Sequence, residues 1–444
     1  MINCIPFKPN STILLMQRFQ GLIGVVLILG IAWLVSNNKK KINYRLVGSG
    51  ILLQIVIALL ILKVAFVKSF FQKIGGIITH IEAFAKEGAS FVYGGLMADN
   101  SAGGSVPFRT PGVFIFGFSV LATIILVCVL VAIFYHFGVM QRIVSIVARA
   151  MNWVMRVSGA EALSNVASAF VGQVEAQVMI RPYLKGMTMS ELLASMSGSL
   201  ACIAGGILVV YVSFGAKAEY LLAASLMAAP AALVISKIVW PETEESETMG
   251  TVKLEVKSPY TNVIDAVSHG AGDGMKISMN VIAMLIGFLG LIALINFLLM
   301  KFGILLHLNF SLTLDWIFGR IFSPMAWAMG VPSTDVSNVA TMLGKKLSIN
   351  EFVAFSDLTQ TMVPNAQGVL VKGYQSVISE KALLIVSFAI CGFANFSSVG
   401  MQIGGIGALV PERRADLARL GMRALLCGTL ASYLSATIAG ILMG

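Results

Sequence analysis

Two glutamates stand in stretches otherwise almost free of charge. Glu175 closes Gly172-Gln173-Val174-Glu175, and Glu351 follows Asn350 in Asn350-Glu351-Phe352-Val353-Ala354-Phe355. A carboxylate among apolar residues costs several kcal/mol to desolvate, and at membrane depth it marks a substrate or ion pathway. Ionised, it accepts hydrogen bonds at two oxygens; protonated, it carries a proton. The competing reading is a salt bridge, Glu175 with Arg181 or Glu351 with Lys345 or Lys346. Two polar, glycine-rich runs accompany the glutamates: Ser197 to Gly206, and Cys391-Gly392-Phe393-Ala394-Asn395-Phe396-Ser397-Ser398-Val399-Gly400. Such residues weaken a helix and expose its backbone groups. Close helix packing explains Gly205 and Gly206 equally well. It explains Asn395 and Ser398 less well, because residues three apart share one helix face and an amide with a hydroxyl can both donate and accept. His80, His136, His269 and His307 are scattered, with no metal-ligand spacing, and no glycine-rich phosphate loop occurs, so an enzyme is not expected.

These residues sit in a chain of 444 residues that is 57% hydrophobic and 12% charged, with a mean hydropathy of +0.87. A soluble domain carries about twice that charge fraction, and a single soluble core stops growing near ~250–300 residues. The composition excludes a soluble enzyme, a disordered chain and a disulfide scaffold, the last also because the five cysteines are odd in number. The net charge of +10 lies in short basic runs beside apolar stretches, as cytoplasmic membrane flanks do, so nucleic acid is not an expected partner.

Apolar stretches long enough to cross ~30 Å of hydrocarbon need about 20 residues. Eight qualify: Phe19–Asn38, Leu46–Leu62, Thr110–Tyr135, Leu192–Ala216, Tyr220–Ser236, Ile277–Met300, Ala382–Val410 and Ala424–Gly444. Lys39 to Arg45, Arg142 to Arg156 and Arg413 to Arg423 then fall on one side, which places both termini outside. Gly159–Leu184 and Phe322–Phe355 hold charges yet are long enough to enter the membrane and return as re-entrant hairpins. Phe70–Tyr93 and Tyr260–Lys276 read as interfacial helices, and Pro241–Glu247 as an acidic loop. The expected fold is an all-α polytopic membrane protein. Residues 1–69 carry two scaffold spans. Residues 70–240 carry a first repeat of interfacial helix, span, hairpin and two spans. An acidic linker covers 241–259, and 260–444 repeats the order inverted, as in many secondary transporters.

The motifs themselves are specific. Gly172-Gln-Val-Glu-Ala176 with Ile180-Arg-Pro-Tyr-Leu184, Trp240-Pro-Glu-Thr-Glu244, Met329-Gly-Val331, Asn350-Glu-Phe-Val-Ala354 and Cys391-Gly-Phe-Ala-Asn-Phe-Ser-Ser398 resemble the concentrative nucleoside transporter family, from about Phe19 to the C-terminus. The resemblance implies a homotrimer of eight-span protomers in the bacterial inner membrane, importing nucleosides by an elevator-like motion driven by Na⁺ or H⁺, with no other cofactor. It implies ribose contacts from Glu351, Asn395 and Ser398, and base contacts from Gln173, Val174, Glu175 and Phe393. An uncoupled channel or receptor on the same fold is the alternative.

Departures from the family pattern bear on base and ion. Val174 stands where Ser or Thr is usual, Gln177 where proline is common, and Ser333 where a Trp often follows Met-Gly-Val. Sodium-coupled members carry an Asn four residues before the motif glycine and a hydroxyl pair in the facing broken span; the matching positions are Ser168, Ala201 and Cys202. Two side-chain oxygens that a hard cation would use are thus missing. Proton coupling needs only a carboxylate, and Glu175 and Glu351 both qualify. H⁺ is therefore expected over Na⁺.

Overall fold

The computed structural model describes residues 11–93, 116–249, 260–359, 363–364, 370–371 and 377–443. The expected start of the third span at 110–115 and the linker from 250 to 259 lie outside the described residues. The chain opens with three helices, α1 (Ser11–Leu34), α2 (Tyr44–Lys63) and α3 (Ala65–Tyr93). Then α4 (Phe116–His136) turns by 75° at Gly138 (φ +72°) into α5 (Val139–Met155). From Arg142, Arg149 and Arg156 this stretch reads only as a basic flank to the third span. Instead Val144, Ala148, Met151 and Met155 form one buried stripe of an amphipathic helix, a period of 3.6 hidden by the intervening arginines.

In the stretch read as the first hairpin, α6 (Gly159–Ser168) packs against the short helix α7 (Glu175–Met179). Ser158 and Glu161 make a capping box that starts α6. Thr188 and Glu191 make a second, which starts α8 (Met189–Ala201). After α9 (Gly205–Ser213), α10 (Ala218–Val239) runs through the centre of the molecule, almost wholly buried. The acidic segment after it is a loop, but not simply a solvated one. Glu242 and Glu161 both pair with buried Lys237, at 3.1 and 2.8 Å, so this loop is fastened to the foot of the first hairpin.

Two expected element bounds are corrected in the second half. The interfacial helix over 260–276 and the span over 277–300 are a single helix, α11 (Val263–Leu305), about 65 Å long at 1.5 Å per residue. Gly270 and Gly274 within it serve packing. A Cβ on Gly270 would come within 2.8 Å of the Val129 Cα, and one on Gly274 within 2.7 Å of the Ile125 Cα, so the pair lets α4 lie against α11. Next come α12 (Leu314–Ile321), α13 (Ser323–Ala328), α14 (Val336–Ser348) and α15 (Glu351–Thr359). The second hairpin is α14 with α15. The stretch from Phe322, expected to begin it, is the separate short helix α13, which stops at Gly330 with φ +90°. A two-residue ladder, β1 (Val363–Pro364) with β2 (Leu370–Val371), is the only sheet among the described residues. The chain ends with α16 (Glu380–Ile390), α17 (Phe396–Leu409) and α18 (Arg414–Met443), the last packed against α10, α8 and α16.

Among the described residues, four segments are long and apolar enough to cross a membrane: Tyr44–Lys63, Met189–Val212, Ala218–Val239 and Pro411–Met443. The second contains the α8–α9 break, where Cys202 and Ala204 are extended. The span expected over 382–410 is likewise broken, between α16 and α17, as its glycine-rich run suggested.

Candidate functional site

The two broken helices cross at their breaks. Gly392 has φ +118°, which a side chain rarely adopts, and a Cβ there would strike the Ala201 carbonyl. The backbone N–H of Phe393 donates to the Cys202 carbonyl at 3.3 Å. This contact fixes where α17 begins. Asn395 is extended and caps α17, its Oδ1 accepting from the Ser398 N–H at 2.8 Å. The expectation that Asn395 and Ser398 share one helix face is thereby corrected: Asn395 precedes the helix. Capping uses its oxygen and leaves its amide N–H free, which donates to Glu351 Oε2 at 2.8 Å. The other carboxylate oxygen accepts from Tyr211 Oη at 3.2 Å. Tyr211 is held in turn by stacking on Phe355, with ring centroids 4.4 Å apart, and by the edge of Phe352 at 5.0 Å.

Glu351 opens α15 just as Glu175 opens α7, and α9 and α17 also start at the same place. Helix starts carry partial positive charge, and here they face two carboxylates. A cavity of about 200 Å³ lies between them. The structure brings Gln173, Val174, Glu175, Glu351, Phe393, Asn395 and Ser398 into its wall, all seven from three distant stretches of sequence. Glu351, Asn395 and Ser398 are 3%, 1% and 0% exposed, while the Glu175 side chain is open to the cavity. Two polar atoms in the wall have no partner, Ser398 Oγ and Gln173 Oε1. A buried orphan of this kind costs free energy unless a ligand or water meets it, so the cavity is built to receive hydrogen-bonding groups. Val174 instead packs against α17, where a Cβ on Gly405 would meet its Cγ2 at 2.6 Å.

A second cavity of about 220 Å³ adjoins the first. It is lined by Cys128, Tyr135, Tyr260 and Asp273 and shares Gly172 and Glu175 with its neighbour. Ser168, Ala201 and Cys202 are buried and line neither cavity. Ser168 Oγ donates to the Ser164 carbonyl at 2.8 Å, and the Cys202 sulfur lies 4.0 Å from the Asn165 carbonyl. The lysines weighed as salt-bridge partners of Glu351 behave differently from that reading. Lys345 pairs with Asp315 and Asp357, at 3.1 and 2.5 Å. Lys346 is wholly buried without a hydrogen-bond partner and contributes only its field to Glu351.

Sequence reasoning missed Tyr211 and Asn280, which comes from α11. The available signal was a hydroxyl or an amide inside an otherwise apolar run.

Three family models cover most of the chain: "Na+ dependent nucleoside transporter N-terminus" at 23–96, "Nucleoside recognition" at 117–218 and "Na+ dependent nucleoside transporter C-terminus" at 220–440. The Helicobacter pylori protein named nucleoside permease NupC is 36% identical, across 96% of this chain and 97% of its own. The chain belongs to the concentrative nucleoside transporter family. Sodium/nucleoside cotransporter 2 of Rattus norvegicus is 37% identical over 96% of this chain and 63% of its own. Among solved structures, CNTnw in an inward-facing substrate-bound state matches with a TM-score of 0.86 and 37% identity, across 96% of this chain and 98% of that one. A CNTnw variant in an outward-facing state matches equally well, with a TM-score of 0.86. These relatives are nucleoside transporters and not enzymes.

Proposed function

We propose that this chain is a secondary active importer of nucleosides, coupled to H⁺ rather than Na⁺ and working by elevator-type alternating access. The observation that carries the reading is the Glu351 carboxylate, held from both sides by Asn395 and Tyr211 at a cavity whose Ser398 Oγ and Gln173 Oε1 have no partner. In this reading Glu351, Asn395 and Ser398 take the ribose hydroxyls. Gln173, Glu175 and Phe393, with the apolar Val174, face the base. A ribose then satisfies groups that an analogue without hydroxyls leaves unpaired. Matches to CNTnw in both inward- and outward-facing states favour alternating access over a channel.

The coupling ion follows from three buried positions. The Ser168 hydroxyl is bonded within the protein, Ala201 supplies no side-chain oxygen, and Cys202 supplies a sulfur that a hard cation avoids. Glu175, open to the cavity, and Glu351 are the proton carriers. The protomers assemble as a homotrimer in the bacterial inner membrane with both termini outside. The two halves form an inverted repeat about the acidic loop.

Uptake of labelled uridine or adenosine into proteoliposomes tests both levels. Uptake should rise as external pH falls, collapse with an uncoupler and ignore replacement of Na⁺ by choline. Saturable Na⁺ stimulation at fixed pH would overturn the choice of ion. Passive equilibration without accumulation would overturn active transport.

A further inference from the structure

Ser164 and Ser168 lie four apart on α6, and Ser195 and Ser199 lie four apart on α8, so each pair forms a stripe on its helix. The stripes face each other as two rungs. Ser164 Oγ is 2.5 Å from Ser195 Oγ, and Ser168 Oγ is 2.9 Å from Ser199 Oγ. The carboxamide of Gln177, on α7, spans both rungs. Its Oε1 accepts from Ser195 Oγ at 2.6 Å, and its Nε2 donates to Ser164 Oγ at 3.1 Å and to Ser199 Oγ at 2.8 Å. Gln177 and all four serines are buried.

The protons of this cluster balance. Ser168 donates to the Ser164 carbonyl at 2.8 Å, Ser195 to Gln177 Oε1 and Ser164 to Ser195, while the single Ser199 proton lies between Ser168 Oγ at 2.9 Å and the Ser195 carbonyl at 3.1 Å. The two amide protons go to Ser164 and Ser199. With the Ser199 proton on its shorter contact to Ser168, each of the five side-chain oxygens accepts once, and the circuit carries no charge. It ties α7 to α8, and the motif that begins α7 supplies Gln173 and Glu175 to the cavity wall. The helix itself has only five residues, too few to hold that tip by its own backbone bonds.

We propose that Gln177 is a positioning residue for transport: its carboxamide closes a neutral hydrogen-bond circuit that seats Gly172–Glu175 against α8 with no ion in that interface. The proposal rests on the reading that Gln173 and Glu175 contact the base. Leucine at 177 keeps the volume and removes both the donor and the acceptor. Glutamate keeps the shape, and when protonated it keeps one donor and one acceptor, so its circuit is pH-dependent.

The test measures nucleoside KM and maximal rate in proteoliposomes with equal amounts of protein. For Gln177→Leu, KM should rise about tenfold with the maximal rate within about twofold, the size of one lost buried hydrogen bond. For Gln177→Glu, KM should approach wild type near roughly pH 5.5 and rise more steeply than wild type towards roughly pH 7.5. Wild-type KM in Gln177→Leu, or a wild-type pH profile in Gln177→Glu, overturns the proposal. If the leucine variant fails to accumulate, the pH profile of Gln177→Glu decides alone. Gln173→Ala reports on the underlying reading. A raised KM there with none in Gln177→Leu overturns only the positioning role; no change in Gln173→Ala overturns the base contact itself.

Discussion

Glu351 has donors on both oxygens, and the two donors differ in strength and in what else they do. Asn395 donates at 2.8 Å while also capping α17, and Tyr211 donates at 3.2 Å while also stacking on Phe355. Replacing the carboxylate by an amide removes a charge-assisted acceptor, worth roughly 1.5–3 kcal/mol, and turns one side of the group into a donor facing donors. Glu351→Gln should therefore lower nucleoside uptake at least about tenfold with the protein still assembled; near-normal uptake would sink the assignment. Tyr211→Phe keeps the stacking and loses one hydroxyl, a change of roughly 0.5–1.5 kcal/mol. Its KM should rise only severalfold, read in the same assay. Competition by analogues probes the ligand side of the same contacts. Free uracil or adenine should compete poorly against labelled nucleoside, and strong competition would show that the cavity reads the base alone.

At the scale of elements, the site depends on four helix starts meeting, and two of those starts exist only because spans are broken. Gly392 makes the second break possible. An alanine there meets both an unfavourable positive φ and the Ala201 carbonyl. Gly392→Ala should destabilise the protein by roughly 1–3 kcal/mol and reduce uptake, checked by thermal unfolding in detergent together with transport. The break before α17 was legible in the sequence, because Asn395 and Ser398 fit close helix packing poorly; at Gly205 and Gly206 packing and a break weighed equally. The fate of Gly270 and Gly274 was not legible. The same residue type that breaks a helix at Gly392 lets α11 run on unbroken and dock on α4, and only the neighbour decides which. Helix α5 was missed for a related reason: its arginines excluded it as a span, while its apolar stripe needed a search for helical period.

The whole molecule leaves a long apolar surface uncovered. On α11, Ile286, Leu289, Leu294, Phe297 and Phe302 are exposed, as are Leu22, Val26 and Leu34 on α1. Lipid tails and neighbouring protomers both satisfy such surfaces. The homotrimer proposed above predicts a mass of three chains by native mass spectrometry and cross-links up to trimers in native membranes. A monomer by both methods would refute that assembly.

Composition alone settled that the chain belongs in a bilayer, because no soluble core accommodates so many apolar residues with so few charges. Polarity against an apolar surrounding singled out Glu175, Glu351, Asn395 and Ser398, and the family resemblance added Gln173, Val174 and Phe393; all seven line one cavity. Other features depend on partners distant in the chain. Tyr211 meets Glu351 across 140 positions, and Gln177 meets Ser199 across 22. Asn395 is a helix cap rather than part of a helix face, because the Phe393–Cys202 contact sets where α17 starts. Hydrogen-bond pairing acts over about 3 Å, and no periodicity along the chain encodes which distant side chains the packing brings that close.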